Sequence, residues 1–430
     1  MTDPSPPSPL RPVLTPEGWE MLNSLPPYDA EQSLTLNQRL RRQGHPPDTV
    51  SAALTQSRLR AAAEAKFGDF ASRMLFTEDG LQQATRLSVA ARHAERFRDA
   101  GVAVVADLGC GLGGDALAAA ALGMQVIAVE ADETTAAAAT VNLSPFPEAR
   151  VRHTTAEEFI ETQPTEEAQR TGLWLDPARR DPHGARTAEG SALRLTDPES
   201  FSPPLSLAVD LAAAGRAVGV KLGPGIAHGL VPEGCEAEWV SVDGDVVEVA
   251  LWFGSLARPG VRRAATVLRR DAPPVQLTDE DDFGAEPAHR PTGVEGLTGI
   301  IWEPDGAVIR AGLVAECAEL CGGRILDEHI AYFCAPEGAP VPEEAVGLAR
   351  GYRILERLPF SVKRLKRWAA EHGVSRLEIK KRGVDVAPEQ LRTQILGSAR
   401  RRPAEGVSRT LILTRLGEER VAVVAEPLNG

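Results

Sequence analysis

The chain has 430 residues, of which 43% are hydrophobic and 25% charged; that composition excludes wholesale disorder, and the length suits two or three domains at about 100–200 residues each. No apolar run reaches the ~18 residues of a membrane span, the N-terminal MTDPSPPSPLRP has no apolar core for export, and five scattered cysteines make no disulfide framework, with Cys317 and Cys321 lacking a second pair at zinc spacing. A cytoplasmic, reduced protein that requires no metal is expected. The net charge of −13 is uneven, because residues 351–430 carry 17 Lys and Arg against 9 Asp and Glu, net +8, leaving −21 on the remainder; such asymmetry is expected when one part of a chain holds a polyanion.

Residues 1–15 are Pro-rich and read as a disordered tail. Residues 16–100 read as a helical region, with Asp48–Phe67 and Gly80–Asp99 at helical spacing and without strand alternation. The texture changes at Val102. A buried strand Val102–Asp107 leads through a glycine-rich turn into the Ala-rich helix Asp115–Leu122. Strands follow at Gln125–Glu130, Ala149–His153, Gly172–Asp176 and Ala217–Leu222, with a helix at Asp132–Leu143. Alternating strand and helix predicts an α/β core, a parallel sheet covered on both faces, over residues 101–270. Trp239–Asp243 and Glu248–Phe253 flank Gly244-Asp245 as a hairpin, and Val261–Leu268 is a further strand. Residues 271–297, acidic and rich in Pro and Gly, read as a linker within a connector spanning 271–350 that holds the strand Ile300–Glu303, the helix Val308–Leu320 and the short strand Ala331–Cys334. The basic module 351–430 is a small α/β unit with helices Ser361–His372 and Pro388–Leu396 and strands Arg376–Lys380, Arg409–Arg415 and Arg420–Ala425.

The first strand ends at Asp107, and glycines follow at 109, 111, 113 and 114. Without Cβ atoms the backbone can approach a ligand closely. The next strand ends, 23 residues after Asp107, in Glu130, and a strand-end carboxylate can accept both hydrogen bonds of a ribose diol. The glycine spacing alone also suits a dinucleotide or a tight turn with no ligand. Taken with its flanking acids, D-L-G-C-G-L-G-G-D (Asp107–Asp115) resembles motif I of the class I S-adenosylmethionine methyltransferases, which have a Rossmann-like core. The resemblance implies that Asp107, Gly109, Gly111, Gly113, Asp115 and Glu130 hold S-adenosyl-L-methionine. That cofactor has no phosphate and carries a sulfonium and an ammonium, so Asp107 is tolerable beside it and would repel a pyrophosphate. Thr155-Ala156-Glu157 follows the third strand, where the family places an acid and a small residue against the adenine. Here the contact falls to the backbone near Ala156 or to Glu157. Phe76–Thr85 resembles the segment that lids the cofactor in several RNA methyltransferases, which would bring Gln83 and Thr85 to the cofactor carboxylate or the substrate; a plain helix start fits the same residues.

The fourth strand runs into Asp176-Pro177-Ala178-Arg179-Arg180. Its first two residues resemble the D-P-P-Y motif of amino-group methyltransferases. By that likeness Asp176, with the carbonyl beside Pro177, accepts hydrogens from a target nitrogen. No aromatic follows to stack on a base. Arg179 and Arg180 offer guanidinium forks that suit phosphate or carboxylate, or they pair with Asp181 and neighbouring acids. Lys221, at the end of the fifth strand, points into the site mouth or into solvent. His153 and His183 have no partners at ligand spacing. In the tail, Lys363, Arg364 and Arg367 lie on a cationic helix and Lys380 and Lys381 precede Gly383, positions suited to a sugar-phosphate backbone. The tail resembles the THUMP-like C-terminal module of a bacterial group of class I methyltransferases, and binding to RNA is implied by that likeness. The expected activity is methyl transfer to a nitrogen of RNA. A methyltransferase of a protein or small metabolite is the first alternative. The second is a non-catalytic RNA-binding protein with a degenerate pocket, which the intact 107–115 loop disfavours.

Overall fold

The computed structural model describes residues 8–178, 197–286, 289–339, 342–397 and 406–428. The chain forms two compact units, one of residues 1–222 with 251–257 and one of residues 223–250 with 258–430. The segment expected as the core, 101–270, is divided between the two units; the boundary expected at 100/101 falls within the first unit, and those expected at 270/271 and 350/351 fall within the second.

The first unit opens with helices α1 (Pro16–Ser24), α2 (Ser33–Arg42), α3 (Pro47–Phe67), α4 (Glu78–Gln83) and α5 (Leu87–Asp99). Part of the expected tail is ordered: a 3-10 turn at Arg11–Leu14 buries Leu10 and Val13, and the Thr15 hydroxyl caps α1 by accepting from the Gly18 amide at 3.1 Å. The helix expected over 80–99 is two helices. Between them Ala84 and Arg86 take extended backbone, and the ammonium of Lys66 on α3 donates to the carbonyls of Leu81, Gln82 and Ala84 at 2.8, 2.9 and 2.8 Å. Those bonds satisfy carbonyls that the end of α4 leaves open.

Then β1 (Val104–Leu108), α6 (Gly114–Ala121), β2 (Gln125–Glu130), α7 (Glu133–Leu143), β3 (Ala149–His153), α8 (Ala156–Thr162), α9 (Thr165–Arg170), β4 (Thr171–Leu175), α10 (Leu205–Ala213) and β5 (Val218–Leu222) alternate. The strands are parallel in the order β3-β2-β1-β4-β5. Chain direction across the sheet reverses between β1 and β4, which places a crevice at their C-terminal ends, the usual ligand position in such sheets. Below the crevice, Trp174 of β4 stacks on Trp252 at 5.3 Å between centroids, and Phe97 meets both edge-on. Gly219 on β5 makes room for that pair, since a Cβ there would fall 2.7 Å from Trp174 and 2.8 Å from Trp252.

β6 (Glu236–Val242) and β7 (Asp245–Phe253), whose last three residues belong to the first unit, form the expected hairpin, turned in the second unit by Asp243 and Gly244 at φ +52° and +93°. Two consecutive positive φ values give the mirror-image turn that matches strand twist. β8 (Arg263–Arg269) and β9 (Ala272–Asp279) follow. The expected linker therefore begins with a strand, paired antiparallel to β8. Its Pro273 and Pro274 are tolerated because β9 is an edge strand, where donors are not needed on the open side. Next come β10 (Ile300–Pro304), α11 (Gly306–Arg310), α12 (Val314–Leu320), β11 (Arg324–Ile325), β12 (Phe333–Ala335), β13 (Ala349–Pro359), α13 (Val362–Glu371), β14 (Val374–Arg382), α14 (Pro388–Leu396), β15 (Val407–Leu416) and β16 (Glu419–Pro427). The single helix expected over 308–320 is broken at Gly312, φ +71°. Among the described residues these strands form one sheet in the order β11-β12-β10-β13-β16-β15-β14. Alternation along β15 sends Leu411 and Leu413 to one face, under Leu365 and Trp368 of α13 and Leu391 of α14, and Ile412 to the other, with Tyr332, Tyr352 and Val423. No described helix is long and apolar enough to cross a membrane.

Candidate active site

The glycine turn after β1 is held from below and behind. The amides of Gly109 and Cys110 donate to the Val129 carbonyl at 2.9 and 3.0 Å, folding the turn back on β2. Gly109, Gly111 and Gly113 have φ of +85°, +56° and +83°. At Gly109 glycine is required twice over: the left-handed backbone disfavours a side chain, and a Cβ would stand 2.8 Å from the Asp176 carbonyl oxygen. The buried Asn142 of α7 donates to the carbonyls of Leu112 and Leu75 at 2.9 and 3.0 Å and accepts from the Leu75 amide at 2.7 Å, tying the turn to the segment before α4.

Two strand-end acids bracket the turn. Glu130 accepts the Gly111 amide on Oε2 and the Asp132 amide on Oε1, each at 2.9 Å. Each oxygen keeps a lone pair, so both can still receive a diol. Burial pushes the Glu130 carboxyl up, against the pull of these amides. Asp107 accepts the Ala116 amide at 3.1 Å on Oδ2, while its buried Oδ1 has no partner. Burial, then Asp115 and Asp176, hold the Asp107 carboxyl well above the usual range.

A chain of polar contacts leads from Asp176 into the unit. Lys221 on β5, 7% exposed, donates to Asp176 Oδ2 at 2.5 Å and to the Thr85 hydroxyl at 2.9 Å. Thr85 in turn bonds Asp115, which also receives His93 Nδ1 at 2.7 Å. Burial raises the Asp115 carboxyl, but His93, Lys221 and Thr85 outweigh it and hold it below the usual range. Of the two alternatives expected for it, Lys221 does not take the solvent one: it is buried and turned onto Asp176. His93 was not singled out in the sequence, although it is the one polar residue on the buried stripe Val89, Ala90, His93, Ala94 and Phe97 of α5. Thr85 enters the network from the break between α4 and α5; Gln83 ends α4 with an exposed side chain. Ala156 is buried at the start of α8, and Pro177 is buried beside Asp176. Arg179, Arg180 and His183 lie outside the described residues.

The site therefore concentrates Asp107, Asp115 and Asp176 near one ammonium and one imidazole. A ligand carrying a sulfonium and an ammonium fits this surplus, and the orphaned Asp107 Oδ1 is the acceptor such an ammonium needs. Among the described residues no group of three or more His, Cys, Asp or Glu is placed to hold a metal ion.

In the second unit, Lys363 and Arg364 of α13 are exposed, and Arg367 lies 3.5 Å from Glu371 one turn on. Lys380 is committed to the protein: it donates to Glu303 at 2.6 Å and lies over the Tyr352 ring, 5.4 Å from its centroid. Lys381 is exposed.

Two curated sequences from strains of Mycobacterium tuberculosis, each an uncharacterized S-adenosylmethionine-dependent methyltransferase, are 32% identical over 354 residues, covering 78% of this chain and 86% of theirs. The chain belongs to the S-adenosylmethionine-dependent methyltransferases. Its cofactor is S-adenosyl-L-methionine. Residues 349–427 match the THUMP domain-like family, and residues 8–63 match a domain of unknown function (DUF8688). The fold is shared with a crystal structure from Porphyromonas gingivalis W83 assigned as a methyltransferase, with a TM-score of 0.68 at 19% identity over 94% of this chain and 100% of that one.

Proposed function

We propose that this methyltransferase transfers the methyl group to a nitrogen of RNA, with Asp176 orienting the nucleophile. When bound, S-adenosyl-L-methionine supplies a methyl carbon already activated by its sulfonium, so alignment and water exclusion are the main demands on the protein. Asp107 and the turn at Gly109–Gly113 would hold the amino-acid end and Glu130 the ribose. Asp176 carries the reading. Its amide donates to the Leu108 carbonyl at 3.1 Å and its carboxylate is pinned by Lys221 at 2.5 Å, so an acceptor for N–H is fixed beside the cofactor turn. Asp176, or water beside it, would accept the proton that the methylated nitrogen sheds.

RNA is favoured over a protein or metabolite by the +8 charge of residues 351–430 on an otherwise acidic chain and by their match to the THUMP domain-like family. The test is transfer of tritiated methyl from labelled cofactor into total RNA and total protein from a deletion strain. Label is expected in RNA; label in protein alone would replace the RNA reading. Asp176→Asn should keep cofactor binding within about twofold and lower kcat by 100-fold or more, on the scale of a lost acid–base group. Unchanged kcat would remove Asp176 from the mechanism.

A further inference from the structure

The second unit carries a cleft of about 690 Å³ where the β6–β7 turn, the β8–β9 turn, the start of α11 and the neighbourhood of Arg350 and Arg382 converge. Arg269, Arg270, Arg350 and Arg382 line it, as do the acids Asp243, Asp271, Glu303 and Asp305. The two signs are engaged differently. Glu303 Oε2 accepts from Lys380 at 2.6 Å, Asp305 Oδ1 from the Ala307 amide at 2.9 Å, and Asp243 Oδ1 from the Arg270 amide at 3.1 Å. Among the described residues none of the four guanidinium groups is ion-paired to a carboxylate. Arg269 donates to the Gly347 carbonyl at 2.7 Å. Arg382 lies over the Tyr332 ring, 5.3 Å from its centroid, with its buried Nε–H lacking an acceptor.

Guanidinium groups that are not ion-paired to a carboxylate keep N–H donors for an anion. Guanidinium forks match phosphate oxygens in shape and charge. Gly244, Gly306 and Gly347 on the walls keep the lining narrow, so a ligand can approach the main chain. The four arginines and four acids that line the cleft balance in charge, so two guanidinium groups without carboxylate partners suit the single charge of a phosphodiester better than the larger charge of a nucleoside di- or triphosphate.

We propose that this cleft binds a phosphodiester of the RNA substrate, with Arg382 and Arg350 supplying the principal contacts. The proposal rests on the RNA reading above. It is tested on the full chain with a fluorescein-labelled, mixed-sequence, 20-nucleotide single-stranded RNA, followed by anisotropy across a series of KCl concentrations. Arg350→Ala/Arg382→Ala should bind about tenfold more weakly at low salt. Its slope of log K against log salt should be shallower by about 1.4, at about 0.7 per contact on single strands. Arg350→Lys/Arg382→Lys should keep the slope and lose part of the affinity. Unchanged cofactor heats in both variants would show that the first unit is intact. RNA binding by the wild type that neither variant alters would overturn the proposal, as would ADP displacing the RNA more tightly than unlabelled RNA does. The two readings fail differently. Arginine-dependent binding with no methyl entering RNA removes RNA as methyl acceptor and leaves the cleft; methylation of RNA indifferent to both arginines removes the cleft alone.

Discussion

Burial and the nearby Asp115 and Asp176 carboxyls raise the Asp107 carboxyl well above its usual range, and its Oδ1 has no internal partner. A carboxyl raised in the folded state holds its proton longer than in the unfolded chain. Folding stability is then fully present below the ordinary value of about 4 and falls as pH climbs through the raised value. A cofactor ammonium reverses the preference by stabilising the anion, so S-adenosylmethionine should bind more tightly as pH rises through the raised value of the carboxyl. Asp107→Asn keeps an oxygen for the Ala116 amide and removes the titration. We expect urea unfolding of the variant to lose this component of the pH dependence, and cofactor Kd to rise at least tenfold, about 1.4 kcal/mol. A variant with wild-type pH dependence and Kd would show that the carboxyl neither titrates nor binds. At Gly109, φ +85° and the 2.8 Å approach to the Asp176 carbonyl act together. Gly109→Ala should cost about 1–3 kcal/mol of stability and abolish measurable cofactor heat, with a lowered Tm as the check.

Helix α4 is short and ends beside the segment that presents Thr85. Its terminal carbonyls depend on Lys66, whose ammonium is pushed down to about 8 by burial and by the charges of Lys221 and Arg86. Lys66→Met should loosen this end of α4. Hydrogen exchange at pH 7 should show the Leu81 and Ala84 amides, which bond Thr77 and Gly80, losing about tenfold in protection. Unchanged protection there would mean that the helix end holds without the lysine. The parallel strands β1, β4 and β5 were legible because strands buried on both faces read as near-continuous apolar runs, whereas the exposed edge strand β3, ARVRH, was legible only from its place in the alternation of strand and helix. β13 was not, because outward-facing Arg353, Glu356 and Arg357 interrupt its apolar pattern. β9 was hidden by prolines that only an edge position permits, and Gly312 split a helix whose periodicity continues across the break. At the site, strand-end acids and glycines were legible from spacing. His93 and Lys66 act through packing between helices, and local sequence does not encode that.

The residues proposed to hold the cofactor all fall in the first unit, and the match to the THUMP domain-like family in the second. A cluster of positive charge lies on α13, whose Leu365, Trp368 and Ala369 pack inward while Lys363, Arg364, Lys366 and Arg367 are exposed. Reversing two of these charges leaves that packing in place, so Lys363→Glu/Arg364→Glu should change unfolding free energy by less than about 0.5 kcal/mol. If RNA binds along this helix, its affinity at low salt should drop about tenfold and the gap should close at high salt. Equal affinities for RNA at low salt would exclude the helix from the interface.

The Asp176 amide is bonded to Leu108, and Gly109 is pressed against the Asp176 carbonyl. The end of β4 and the start of the glycine turn are therefore stitched into one piece, so Asp176 cannot be relocated without unpicking the turn proposed to seat the methyl donor.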